Sequence, residues 1–390
     1  MSARIPTTIA LCLLLAPACR TSVTPSSPAS AERAVDLSGL LADAWRASEK
    51  GDVEETLRAF RELDAAGWSI PPASDFSAVA ARGDWKEIAA RIAAREPRTG
   101  RSEVAFTLPE EGLIAEGMAS DPRDGSLFVG SVRRRKVVRV DPSGATRDFA
   151  SGLGRVLGLK VDVRRDLLWA VANPGGDGEG GTRSGLHAFD LESGAPRLSA
   201  VLEGEGHRLN DLALATDGSV YVTDSRTGLL YRLPAGETAL VTVPASFRSP
   251  NGIAFADGVL VVCDERGLWT FADPAEAPRQ LVAPGGLPLG GIDGLSARGL
   301  TLVAIQNALG APRVVRLDLS AGATAVLGAE VLETRNDLWH IPTTGTFLGD
   351  DFLYIGNSHV DASRDEVLRP EANVPTRLHR LRVPGSEGVK

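Results

Sequence analysis

The chain has 390 residues, 43% of them hydrophobic and 24% charged, with a formal net charge of -8. That is ordinary globular material for one large domain or two unequal ones, and it excludes the fibrous and wholly disordered classes. The acidic balance offers no surface for a phosphate backbone, so nucleic acid is not an expected partner. The short basic run at 133–136 reads as charge blunting an exposed strand edge.

At the N-terminus, Arg4 precedes a short apolar stretch at 9–16 and the small-residue sequence Ala16-Pro17-Ala18-Cys19, the pattern of an export signal. The stretch falls well short of the ~20 apolar residues of a spanning helix, and no later stretch reaches that length, so no transmembrane helix is expected. Leu15-Ala16-Pro17-Ala18-Cys19 resembles the bacterial lipobox, although Ala16 stands where that motif usually has Leu. The resemblance implies lipidation of Cys19, the alternative being ordinary cleavage after Ala18. Residues 1–19 are therefore read as a lipoprotein signal peptide and 20–32, rich in Ser, Thr and Pro, as a flexible tether. The expected location is the bacterial cell envelope, with a lipid anchor in the membrane and the body facing the periplasm. With Cys12 and Cys19 so used, Cys263 is left alone in an apolar run. No disulfide is expected, and Cys263 reads as a small buried apolar side chain.

From 33 to 97 the spacing turns helical. Leu40, Leu41, Ala44, Trp45 and Ala47 form one apolar face, and Leu57, Phe60, Leu63 and Ala66 another, which predicts a helical hairpin. The turn Lys50-Gly51-Asp52-Val53 recurs as Arg82-Gly83-Asp84-Trp85, roughly one tetratricopeptide period later. Gly in the helix-ending position and Asp capping the next helix give the shared turn a physical cause. The segment resembles a tetratricopeptide-like unit, interrupted at Pro71-Pro72. Its expected role is to brace the larger domain, with peptide or protein binding the alternative.

From 104 to 384 short apolar strands alternate with Gly, Asp-Gly and Pro turns, an all-β pattern. One unit repeats. Glu116-Gly117-Met118, Leu157-Gly158-Leu159, Leu209-Asn210-Asp211, Asn251-Gly252-Ile253, Ile292-Asp293-Gly294 and Leu338-Trp339-His340 open successive copies about 40–50 residues apart, a spacing that suits propeller blades. The Gly-rich insertion at 174–181 lengthens the second step and belongs in a loop. The predicted fold is a six-bladed β-propeller, with a strand near 104–108 closing blade six.

The innermost strand of each blade lines the central channel, so equivalent opening residues converge on one axis. Glu116, Asn210, Asn251 and Asp293 supply hard oxygen donors from four blades. Two carboxylates and two amide oxygens suit calcium, and other divalent ions use the same donors, whereas zinc or copper would call for Cys or His. Taken singly, Asn-Gly and Asp-Gly are turn signals. Here they begin apolar runs in a shared phase.

On Ala115-Glu116-Gly117, Arg208-Leu209-Asn210-Asp211, Ser249-Pro250-Asn251-Gly252 and Ile292-Asp293-Gly294, the chain resembles the senescence-marker-protein-30, gluconolactonase and luciferin-regenerating-protein family, and more distantly the paraoxonases. The resemblance implies that Glu116, Asn251 and Asp293 hold a divalent ion, with Asn210 either ligating it or lying beside it to bind substrate. It further implies hydrolysis of a lactone or related ester, with Asp293 as the base. The chain departs from the family in lacking a Pro before Asp293 and a clear counterpart of the substrate-contacting Arg. His340 reads either as a second acid/base or as a structural histidine, and His207 as a substrate contact above the channel mouth. A noncatalytic, metal-stabilised propeller that binds a ligand or protein partner is the alternative function, and an isomerase or synthase a third. No Gly-x-Ser-x-Gly elbow occurs, which disfavours a serine hydrolase.

Overall fold

Runs such as Val220–Asp224, buried along their whole length, form strands because both faces of a blade pack against neighbouring blades. The computed structural model describes residues 37–72, 76, 78–175, 183–363 and 368–383. The expected signal peptide, Cys19 and the tether lie outside the described residues, as do 176–182 of the Gly-rich insertion. No helix among the described residues is long and apolar enough to cross a membrane.

Six four-stranded antiparallel sheets form the propeller. Their inner strands are Ala115–Ser120, Arg155–Asp162, Leu209–Leu214, Ile253–Ala256, Ile292–Arg298 and Gly345–Leu348. Each contacts the next, and the sixth contacts the first, so the ring is closed. Blade six is built from both ends of the propeller: Glu103–Glu111 pairs with Pro375–Arg382, in the register Val104 with His379 and Phe106 with Leu378. This is the closure expected from 104–108.

One expectation is corrected. Leu338-Trp339-His340 is not the inner strand of blade six. His340 makes only an isolated bridge to Asn357, and the chain turns through Ile341 at φ 53 before Gly345–Leu348 takes the inner position. Trp339 donates its Nε1–H to the Tyr354 hydroxyl at 3.0 Å.

Ahead of the propeller stand α1 (Leu37–Glu49), α2 (Val53–Ala65) and α3 (Gly83–Arg95). The first turn is as expected. Gly51 takes φ 72, and Asp52 caps α2 by accepting from Glu55 N at 3.1 Å. The second differs, since Gly83 is the first residue of α3 and Arg82 is an N-cap without a side-chain bond. α2 has already ended at Ala65, with Gly67 at φ 83, and among the described residues no helix lies between it and Gly83 for that glycine to end. The three helices share a core of Leu57, Phe60, Leu63, Phe76, Trp85 and Ile92, in which Phe60 meets Phe76 and Trp85 edge-on at 4.8 and 4.7 Å.

Glu96, just beyond α3, pairs with Arg313 at 2.9 Å, and Arg313 is 0% exposed. Arg313 also donates to Gln306 Oε1 and the Pro288 carbonyl, so among the described residues Glu96 is the one carboxylate paired with it. Glu96→Ala is therefore expected to lower the stability to urea by about 3–5 kcal/mol, the cost of leaving one buried charge alone. Glu96→Gln, which keeps an acceptor, should cost less.

Candidate functional site: a carboxylate and amide ring in the central cavity

The residue after each predicted ligand decides how the blades meet. A Cβ on Gly117 would lie 1.6 Å from the Leu157 carbonyl oxygen, and one on Gly252 2.8 Å from that of Asp293. These glycines are not turn residues. They let the inner strands of neighbouring blades touch, and the side chains preceding them turn into the channel. Glu116, Asn210, Asn251 and Asp293 accordingly line one cavity of about 1430 Å³.

Hydrogen bonds within and between blades fix the segments that carry these side chains. The Asn173 amide in blade two brackets Leu209 by donating to its carbonyl at 2.7 Å and accepting from its N–H at 2.8 Å. Asn210 donates from Nδ2 to Ser225 Oγ at 2.7 Å, and Ser225 donates on to the Pro250 carbonyl at 2.6 Å. Thr223 Oγ1 donates to the Asn251 carbonyl at 2.8 Å. The Cys263 thiol, expected to be merely apolar, donates toward the carbonyls of Gly252 at 3.0 Å and Ile292 at 3.3 Å. It thereby ties the two ligand-bearing segments together, and burial pushes the thiol well above its ordinary pKa.

Asp293 is the hub. Its Oδ1 accepts from Asn251 Nδ2 at 2.6 Å and its Oδ2 from Asn307 Nδ2 at 2.5 Å. Glu116 is buried and among the described residues its carboxyl accepts only from Ser358 Oγ, at 3.3 Å. Burial and then the facing Asp293 charge push the Glu116 carboxyl well above its usual range. Burial also raises that of Asp293, against the lowering by Asn307 and Asn251. Among the described residues the Oδ1 atoms of Asn210, Asn251 and Asn307 accept no hydrogen bond. Two buried, mutually repelling carboxylates beside unpaired amide oxygens are short of positive charge, and their donor chemistry fits a hard divalent cation. No group of three or more His, Cys, Asp and Glu among the described residues could hold an ion, so the amides are essential to the fit.

Three contributors escaped the sequence reading. Asn307 and Ser358 follow blade strands rather than open them, and so share no phase with the other residues. Arg208 stands inside the motif Arg208-Leu209-Asn210-Asp211, where the sequence pattern gives it no role of its own. Its guanidinium lines the cavity and draws the Glu116 and Asp293 carboxyls down.

His207 and His340 also line the cavity. His207 Nδ1 bonds Asp224 Oδ2 at 2.7 Å, and Asp224 is completely buried, so the ring is anchored and its Nε2 left free of partners among the described residues. His340 is exposed, stacks on His359 with centroids 3.9 Å apart, and has Nδ1 3.9 Å from Asp361 Oδ1. Burial and the His340 ring bring His359 down to about 4. His340 thus sits in a loop with its own partners, away from the strand position expected of it.

A carboxyl whose folded pKa lies above its unfolded one adds stability that is complete below the unfolded pKa and lost as pH rises through the folded pKa. Glu116 and Asp293 are such groups. Chelator-treated protein is therefore expected to lose thermal stability as pH rises above the ordinary carboxyl range of about 4, with excess calcium removing most of that slope. Glu116→Gln should flatten the slope in chelator. Melting curves read the result, and a slope indifferent to both calcium and Glu116→Gln would argue against a cation between these carboxylates.

No protein-family model matches the chain, and no curated protein matches it. Among solved structures, regucalcin from Agrobacterium tumefaciens, a calcium-binding protein, matches with a TM-score of 0.52 at 18% identity, over 74% of this chain and 96% of its own. A gluconolactonase from Xanthomonas campestris matches with a TM-score of 0.51 at 20% identity, over 75% and 93%. A putative glucose dehydrogenase from Thermus thermophilus matches with a TM-score of 0.50 at 18% identity, over 72% and 99%. What they have in common with this chain is architecture: it carries the six-bladed β-propeller fold of the gluconolactonase and regucalcin structures.

Proposed function

We propose that the chain is an exported, lipid-anchored hydrolase of a lactone or related ester, dependent on a divalent cation, with calcium the best fit. The observation that carries this is the buried opposition of Glu116 and Asp293 within a large cavity, ringed by amide oxygens and flanked by Arg208. A gluconolactonase and a calcium-binding regucalcin among the fold neighbours support the reading. Glu116, Asn251 and Asp293 would hold the ion, with Asn210 as a fourth ligand or a substrate contact. A cation in that ring supplies Lewis-acid polarisation of a carbonyl.

The chain's own groups do the rest. Arg208 and the Asn210 amide orient the substrate oxygens and oppose the negative charge that builds on them. Asp293, its two oxygens fixed by Asn251 and Asn307, receives the proton of the attacking water. Water oxygen bonds to the carbonyl carbon, the ring C–O bond breaks, and a proton ends on the leaving oxygen. His207, anchored on Asp224, contacts the substrate, and His340 at the cavity edge is the second acid/base group.

Purified protein is expected to hydrolyse members of a lactone panel with added calcium and to lose turnover in chelator. Asn251→Ala and Asp293→Ala should each lower kcat/KM by about 100-fold or more while the circular dichroism spectrum is kept. Metal binding and ligand stabilisation without turnover would favour the noncatalytic, ligand- or partner-binding propeller instead. For the anchor, a labelled fatty acid is expected to mark the wild-type protein in cells and not Cys19→Ala; labelling of both would remove Cys19 as the lipid site.

A further inference from the structure

The helical segment meets the propeller at the loop that follows the blade-five strand Thr301–Gln306. That loop begins with Asn307, whose amide holds Asp293. Two residues on, Leu309 is buried inside the core of the three helices, against residues such as Trp68 and Ile70. Gly310, at φ 135, comes so close that a Cβ there would lie 2.4 Å from the Pro71 carbonyl oxygen. Ala311 N–H then donates to that same oxygen at 2.8 Å. Only glycine admits this contact, so the loop is shaped to receive the helices. The Glu96–Arg313 ion pair fastens the same junction one strand further along.

This junction brings two residues of the helical segment to the cavity that holds the carboxylates. Trp45 of α1, half-buried with its ring 4.5 Å from Phe76, and Pro72 both line it. The contrast with blade three is chemical. Arg208, Asn210 and Arg226 make that side polar and cationic, whereas Trp45 and Pro72 present apolar surface. Size points the same way. A cavity of about 1430 Å³ exceeds the ~300–1,000 Å³ that encloses a drug-sized ligand, so a bare lactone ring leaves most of it unfilled.

We propose that the helical segment is a wall of the active site, and that Trp45 and Pro72 select lactones or esters bearing an apolar substituent, which lies against them while the reacting carbonyl sits at the carboxylate ring. The proposal rests on the hydrolase reading for its reaction and on the cavity alone for its binding preference. Trp45 and Pro72 are specificity residues here, with no part in the chemistry.

The probes are γ-butyrolactone and γ-phenyl-γ-butyrolactone, with full-length protein and calcium. Trp45→Ala is expected to raise KM for the phenyl compound about tenfold, leave KM for the bare ring within about twofold, and leave kcat for both unchanged. Equal changes for the two lactones, or none, overturn the proposal. Pro72→Ser, outside the Phe76 stack, makes the same comparison should Trp45→Ala fail to fold. If the wild-type protein hydrolyses neither lactone, the hydrolase reading fails separately, and calorimetry decides the wall. Tighter binding of the phenyl compound by wild type than by the variant supports it, while equal affinity or no binding overturns it.

Discussion

Everything in the central cavity depends on how closely the inner strands approach one another around the axis. At Gly117 and Gly252 the backbone of the next blade occupies the space where a side chain would begin. The residue before each glycine is then held by a neighbouring blade as much as by its own. Asn173 brackets Leu209, Thr223 steadies Asn251, and the Cys263 thiol joins the backbones of Gly252 and Ile292. The arrangement exists only in the closed ring, since no blade contains more than one of Glu116, Asn210, Asn251 and Asp293.

Two buried glutamates show why this ring reads as a site and not as packing. Glu333, between blade five and the segment leading into the propeller, accepts from the N–H groups of Arg101 and Ser102, from Ser102 Oγ, from Asn336 and from the Tyr354 hydroxyl. It is a satisfied carboxylate. Among the described residues Glu116 has a single donor, at 3.3 Å, and another carboxylate opposite. Each missing charge-assisted hydrogen bond is worth roughly 1.5–3 kcal/mol, so Glu116 in that state weakens the fold unless something else supplies positive charge. Glu333 is held by a full set of donors, whereas Glu116 faces a second carboxylate with Ser358 as its hydrogen-bond donor and Arg208 as a more distant charge.

The propeller was legible because blade repetition leaves a period in the chain, and the glycine or aspartate after each opening residue marked the strand that would reach the axis. The same period brought Glu116, Asn210, Asn251 and Asp293 to one cavity. It failed at blade six, where Leu338-Trp339-His340 has the spacing of an opening while Trp339 is bonded to the Tyr354 hydroxyl and the inner strand starts at Gly345. Asn307, Ser358 and Arg208 were missed for a related reason. They reach the cavity from strand ends and loops, where position depends on tertiary contacts that carry no repeat. The second copy of the Gly-Asp turn misled in the helical segment because α2 ends at Ala65, well before it, so Gly83 opens α3 and does not close a helix.

The pairing of Glu103–Glu111 with Pro375–Arg382 also has a temporal meaning. The strand nearest the start of the propeller finds its partner only in the last strand to be made, across almost the whole domain. Bringing such distant segments together has a large loop-closure cost and slows the final folding step. Until it occurs, Glu103–Glu111 and the end of blade six both present unpaired edges, open to proteases and to strands of other chains.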